Sequence, residues 1–186
     1  PQMAREKKTE KIERAKKILK ILRDEYEGGT ALEYDSIWEL LVATILSARS
    51  TDEKVNEVTP ELFQAFPTVK DMAEADREEI EEIIHPTGFF RQKARALHES
   101  AQKIVEDFGG EVPETMEDLT ELRGVARKTA NVVLQEAIRP QGPHDGVVVD
   151  THVKRLSKRM GLVFSTWDDA ERIEQRLMDL YPNGDW

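Results

Sequence analysis

The stretch Leu122-Arg123-Gly124-Val125-Ala126-Arg127-Lys128-Thr129-Ala130-Asn131-Val132-Val133-Leu134 decides the fold. Val112-Pro113-Glu114-Thr115 leads into a short helix before it, and Leu122 to Val125 reads as a tight turn pinned by Gly124. From 126 to 138, Ala130, Val133, Leu134 and Ala137 share one helical face. Two helices joined this way form a helix-hairpin-helix. Its glycine lets the backbone approach closely, and the amides that open the second helix point at an anion. Arg127 and Thr129 stand ready to add side-chain contacts. A plain connection between two helices has the same pattern, so at this point both readings stay open.

Outward from the hairpin the chain reads as helix after helix. Residues 9–25 place Ile12, Ala15, Ile18, Leu19 and Leu22 at helical spacing, ended by Gly28-Gly29. Asp35 or Ser36 caps a second helix whose run from Trp38 to Leu46 is nearly all apolar and therefore buried. Thr51 or Asp52 caps a third, which Pro60 is expected to kink or divide. Short helices are expected at 68–73 and 76–84, a turn at Pro86-Thr87-Gly88, and a long amphipathic helix over 90–108 stopped by Gly109-Gly110. A Pro- and Gly-rich loop covers 139–146, and helices at 151–162 and 166–181 complete the chain. Val147-Val148-Val149 has strand character but no second strand to pair with. The fold class is all-α.

Among the 186 residues, 39% are hydrophobic, enough for a substantial core, and 34% are charged. No apolar run approaches the roughly 18 residues that span a bilayer, and no signal-peptide core opens the chain. The absence of cysteine excludes a disulfide framework, a thiolate nucleophile and thiolate metal sites within this sequence. The expectation is a soluble, cytoplasmic protein. A net charge of −10 argues against a polyanionic partner, but its distribution does not. Residues 1–24 carry nine Lys/Arg against four Asp/Glu, and residues 122–160 carry eight against three. Such a polarised chain can offer a cationic face to phosphates while its acidic bulk keeps it soluble.

Two side chains have the chemistry to do more than bind. Lys128 falls in the first turn of the hairpin's second helix, at the positive end of its dipole. A lysine so placed can supply the neutral amine needed to attack carbon and form a Schiff base; a phosphate-binding surface lysine is the alternative. Asp150 follows an apolar run and precedes a helix. There it can stay ionised to stabilise a developing cation or relay a proton, or serve only as an N-cap. His152 reads as a structural histidine. The histidines at 85, 98, 144 and 152 make no metal-ligand set.

Together these segments resemble the endonuclease III family of helix-hairpin-helix DNA glycosylases. Leu122 through Leu134 looks like that family's hairpin signature, and Val149-Asp150-Thr151-His152-Val153 with Arg155 like its catalytic-aspartate segment. Upstream, Leu46-Ser47-Ala48-Arg49-Ser50-Thr51-Asp52 resembles the family's early loop. Thr87-Gly88-Phe89-Phe90-Arg91-Gln92-Lys93-Ala94 resembles the loop before its central helix, and Gly110-Glu111-Val112-Pro113 the lead-in to the hairpin. These five segments occur in the family's order.

The resemblance implies two helical lobes flanking a DNA-binding cleft. The central lobe would cover residues 30–138, with the hairpin at about 115–138, and the second would combine 1–29 with 139–186. It implies a base-excision-repair glycosylase with abasic-site lyase activity, acting on double-stranded DNA with a damaged base, an oxidised pyrimidine above all. Such a protein is expected to be monomeric and nucleoid-associated. Lys128 would be the nucleophile and Asp150 the essential aspartate. Arg49 would enter the gap left by the extruded base, where glutamine is usual, and Phe89 would wedge the opposite strand, where leucine is usual. Leu122, Arg123, Gly124, Val125, Ala126, Arg127, Thr129 and His152 would complete the DNA contacts. Arg123 stands where the family has Pro and Ala126 where it has Gly; Arg123 would add a phosphate contact. The loop before Asp150 is longer than usual, with Pro140, Gly142, Pro143, Asp145 and Gly146 absorbing the excess. The family's four-cysteine loop for a [4Fe–4S] cluster has no counterpart here, so no cofactor is expected in this chain, which is either clusterless or cut short of that loop. A DNA-binding module without catalysis and a glycosylase without lyase activity are the alternatives.

Overall fold

The computed structural model describes residues 6–26, 28–140, 142 and 144–181. Pro143, assigned above to the long loop, and residues 1–5, 27, 141 and 182–186 of the expected second lobe lie outside the described residues. The helices are α1 (Lys8–Glu25), α2 (Ile37–Ser47), α3 (Asp52–Ala65), α4 (Val69–Glu74), α5 (Arg77–Ile84), α6 (Phe90–Phe108), α7 (Met116–Thr120), α8 (Arg127–Val133), α9 (Thr151–Arg159) and α10 (Ala170–Leu180). A 3₁₀ turn spans His85–Thr87, and a π-turn, Leu134–Ile138, continues α8. No strand occurs among the described residues, Val147 to Val149 included, and no described helix is long and apolar enough to cross a membrane.

Hydroxyl and carboxylate caps set most of the starts. Ser36, not Asp35, caps α2 by accepting from Glu39 N, and Thr51, not Asp52, caps α3 by accepting from Lys54 N. Thr68 and Asp71 form a reciprocal capping box at α4. Pro60 does not divide α3, which runs through it to Ala65. Val58, Thr59 and Leu62 are buried on either side of Pro60, and their packing offsets the backbone hydrogen bond that proline removes. The last helix begins at Ala170 rather than 166, because the Asp169 carboxylate caps it through Arg172 N. The helix expected over 151–162 stops at Arg159, where Gly161 takes a left-handed φ of 65° and Leu162 N turns back to Ser157 O.

The chain divides into two units, Thr30–Pro140 and Pro1–Gly29 with Gln141–Trp186. In the first, α2 is the axis: every residue from Leu40 to Leu46 is buried, and α3, α6 and α8 pack around it. Leu62, Met72, Ile80, Ile84, Leu97, Ile104, Leu119, Leu122 and Leu134 close this core. In the second, Ala15 of α1 meets Val149, Leu162, Val163, Ile173, Leu177 and Leu180. Arg14 Nη1 donates to Met160 O at 2.6 Å and Lys11 Nζ to Gly161 O at 3.0 Å, tying the first helix to the carbonyls that end α9.

The hairpin turn, between α7 and α8, packs against α6. Gly124 adopts φ +80°, and a Cβ there would lie 2.9 Å from the Ala96 Cβ. The fully buried Ser100 donates its hydroxyl to Arg123 O at 2.9 Å, one turn further along α6. Gly109, at φ +64°, has open space where its Cβ would be. Gly109→Ala therefore carries only left-handed strain, about 1 kcal/mol, whereas Gly124→Ala adds a clash for a total of about 3 kcal/mol. Urea denaturation of the two variants should show that ordering; equal losses would mean that the hairpin yields to a methyl group without cost.

Candidate functional site

The hairpin has an inner and an outer half. Leu122 and Val125 bury their side chains, and their amides donate inside the turn to Leu119 O and Leu122 O, each at 3.2 Å. These two residues shape the turn and offer no free amide. Ala126 is the N-cap of α8, with φ −88° and ψ 169°, extended rather than helical, and its methyl group leaves the helix start without a side-chain cap. The first amides of α8 consequently have no acceptor within the helix. Lys128 is exposed in this first turn, between the half-buried Arg127 and Thr129. Arg123 does not stand free: its Nε lies 3.3 Å from Glu99 Oε2 on α6.

Arg49 and Phe89 come from distant loops and meet. They are the non-glycine residues with positive φ among those described, 56° and 50°. The Arg49 guanidinium lies 5.2 Å from the centroid of the Phe89 ring, which is 53% exposed, a large aromatic face left to solvent. The two flank a cavity of about 210 Å³ whose wall includes Gln92, Lys93, Ala96 and Gly124. The structure thus gathers three of the expected contact residues, Arg49, Phe89 and Gly124, around one opening. Strained backbone of this kind persists only where surrounding bonds hold it. Here Gln92 N and Lys93 N both donate to Phe89 O, at 3.0 and 3.1 Å, and Lys93 Nζ donates to Thr87 O at 2.9 Å.

Lys93 is a residue whose role the sequence analysis did not single out. It is 5% exposed, and burial pushes its ammonium below the usual lysine range. The signal was present: Lys93 falls on the buried stripe of Ala94, Leu97, Ala101 and Ile104, where a charge needs a reason.

In the other unit, Asp150 is half-buried and caps α9, its Oδ1 accepting from Val153 N at 2.7 Å. The capping geometry occupies one carboxylate oxygen and leaves the second for other work. His152 is exposed, its Nδ1 3.3 Å from Arg155 Nη2. Some of the positive charge counted in the sequence is spent internally: Lys154 and Lys158 both reach Asp168 Oδ1 at 3.3 Å, and Arg14 holds Glu6. The paired ammonium groups hold the Asp168 carboxyl below its ordinary range. For a [4Fe–4S] cluster the residues do not fit. The sequence supplies no thiolate, and no group of three or more metal-binding side chains occurs among the described residues.

The model of the HhH-GPD superfamily base excision DNA repair proteins matches residues 42–183. The endonuclease III of Synechocystis sp. is 56% identical over 181 residues, covering 97% of this chain and 80% of that protein. The endonuclease III of Bacillus subtilis is 40% identical over 156 residues, covering 83% and 68%. A solved trapped endonuclease III–DNA covalent intermediate with an estranged adenine superposes with a TM-score of 0.84 at 34% identity, covering 98% of this chain and 82% of that one.

The buried lysine makes a prediction about pH. Between its lowered pKa and the ordinary 10.5, the unfolded chain binds more protons than the folded one, so the lysine's contribution to stability rises with pH through that window. Urea midpoints of the parent and Lys93→Met at about pH 8 and about pH 10 should show the parent gaining on the variant at the higher pH. A difference that does not change with pH would contradict the burial of a charged amine at this position.

Proposed function

The chain belongs to the HhH-GPD superfamily of base excision DNA repair proteins and, within it, to the endonuclease III family; on that footing we propose that it is a bifunctional DNA glycosylase and abasic-site lyase that acts as a monomer on chromosomal DNA. The observation that carries the reading is Lys128, an exposed amine in the first turn of the helix that follows the glycine hairpin. An amine is the group needed to replace a base on the sugar and hold the product as an imine.

In this reading the damaged nucleotide leaves the stack and the hairpin amides hold the flanking phosphates. Lys128 Nζ bonds to the sugar C1′ as the C1′–N bond to the base breaks, and the base departs with a proton. Opening of the sugar ring gives the imine. Loss of a C2′ proton then expels the 3′ phosphate, cutting the strand on the 3′ side, and water releases the lysine. Asp150 stabilises the positive charge on the sugar as the base leaves, or relays a proton. Arg49 fills the vacated space and Phe89 stacks on the opposite strand, with Arg123, Arg127, Thr129 and His152 along the contact. The substrates are oxidised or ring-saturated pyrimidines.

Borohydride reduction on a duplex with one abasic site should trap a covalent adduct with the parent and none with Lys128→Gln, which keeps duplex binding. An adduct from Lys128→Gln, or none from the parent, would sink the assignment. Asp150 separates cap from chemistry. Asp150→Asn retains an N-cap and should keep its melting temperature, whereas Asp150→Ala should lose about 1 kcal/mol. Both should lose the excision of a damaged base. Excision by Asp150→Asn at the parent's rate would reduce the aspartate to a cap.

A further inference from the structure

On α5 and α6, next to the hairpin, lies an open cavity of about 750 Å³ lined by Arg77, Arg91, Arg95 and Arg123, with Gly124 at its edge. Of the residues proposed above it shares Arg123 and Gly124 of the hairpin, but none assigned to catalysis or to filling the gap in the stack. Two of its arginines belong to ordinary helix pairs: Arg77 lies 3.5 Å from Glu81, and Arg95 donates to Glu99 at 2.6 Å, both four residues apart. One carboxylate for each would satisfy those helices. The fold adds two more guanidiniums. Arg91 of α6 shares Glu81 at 3.9 Å, and Arg123 of the hairpin shares Glu99 at 3.3 Å. Four guanidiniums thus divide two carboxylates, in a chain whose net charge is −10.

Each of the four approaches its carboxylate through Nε. Among the described residues the Arg95–Glu99 bond is the one hydrogen bond these guanidiniums make, so their terminal N–H forks are unused. Such forks match the oxygens of a phosphate. No aromatic side chain lines the cavity to stack on a base or a nucleoside, which points to backbone rather than base. Gln92, Ala96 and Gly124 line both this cavity and the one between Arg49 and Phe89, so the two openings adjoin.

We infer that the Arg77–Arg91–Arg95–Arg123 cavity is a second phosphate-binding site, taking a backbone phosphodiester of the duplex beyond the one held at the hairpin. The inference rests on the DNA-binding reading above. It extends the footprint along α6 and makes Arg91 and Arg95 determinants of affinity rather than of chemistry.

The test is the salt dependence of binding to a duplex carrying a stable abasic-site analogue, measured by fluorescence anisotropy between about 50 and about 200 mM salt. The parent is compared with Arg91→Gln, Arg95→Gln and their double variant; Arg176→Gln, on α10 in the other unit, is the control. Each cavity variant should flatten the slope of log K against log salt by about 1. The parent should therefore lose about tenfold more affinity than the double variant over that salt range. Arg91→Glu, on a side chain 82% exposed, removes the contact without disturbing packing and should weaken binding beyond Arg91→Gln. A double variant with the slope of the parent and of Arg176→Gln would overturn the inference and leave the DNA-binding reading intact. So would stabilisation of the parent, but not the double variant, by inorganic phosphate with unchanged DNA slopes: the cavity would then be a free-phosphate site. A parent that binds duplex without salt dependence would overturn the DNA-binding reading, and the inference with it.

Discussion

At Gly124 the hairpin backbone runs so close to α6 that a side chain would meet the Ala96 methyl at 2.9 Å. This contact, with the hydrogen bond from the buried Ser100 to Arg123 O, fixes the turn against the longest helix of its unit. The consequences run along α6 in both directions. Its first residue follows the strained Phe89, its second turn brings Lys93 back to Thr87, and its outer face carries Arg91 and Arg95. One rigid element therefore sets the spacing between the uncapped start of α8, the Arg49–Phe89 pair and the arginine cavity. A candidate surface distributed over three loops gains its precision from a helix rather than from the loops themselves.

The strain in this unit is local and well supported. A left-handed φ costs a side-chain-bearing residue about 1–2 kcal/mol, and Arg49 and Phe89 each bear it. Two amides hold the Phe89 carbonyl, a buried ammonium holds the Thr87 carbonyl before it, and the His85 and Phe90 ring centroids lie 4.4 Å apart. At Arg49 the compensation is the ring of Phe89 itself. The guanidinium and the phenyl ring hold each other, so the two are ordered together rather than one at a time.

What the sequence made legible was local. The hairpin turn, the caps at Ser36 and Thr51, the end of α6 at Gly109 and the position of Lys128 in a first turn each depend on a few neighbouring residues. The nearly all-apolar run from Trp38 to Leu46 was enough to mark α2 as buried. The bounds of α9 and α10 differ for local reasons, at Gly161 and Asp169; the other differences are non-local. Pro60 stays within α3 because residues beside it are buried, and no propensity scale contains that packing. The π-turn after Val133 leaves no mark in the apolar pattern. Counting charge along the chain drew attention to residues 1–24 and 122–160, yet Lys154, Lys158 and Arg14 are occupied by Asp168 and Glu6. The denser cationic site draws Arg77, Arg91, Arg95 and Arg123 from three separate segments, and of these four only Arg123 lies within the stretches that the charge count marks. The burial of Lys93 is not legible in its motif, because a lysine on an apolar stripe is informative only once the stripe is known to face inward.

The connection of α1 to the carbonyls of Met160 and Gly161 bears on how the protein is made. Its unit is discontinuous: the first helix has no core to join until Val149, Leu162 and α10 exist. The Thr30–Pro140 unit is one uninterrupted run and can close as soon as it leaves the ribosome. Lys128 is thus placed once the residues through Pro140 have emerged, while Asp150 waits for α9 and α10 to follow. Until then α1 emerges as an orphan helix with Ala15 uncovered, and a nascent chain holds its amine in position before its aspartate has a fold to belong to.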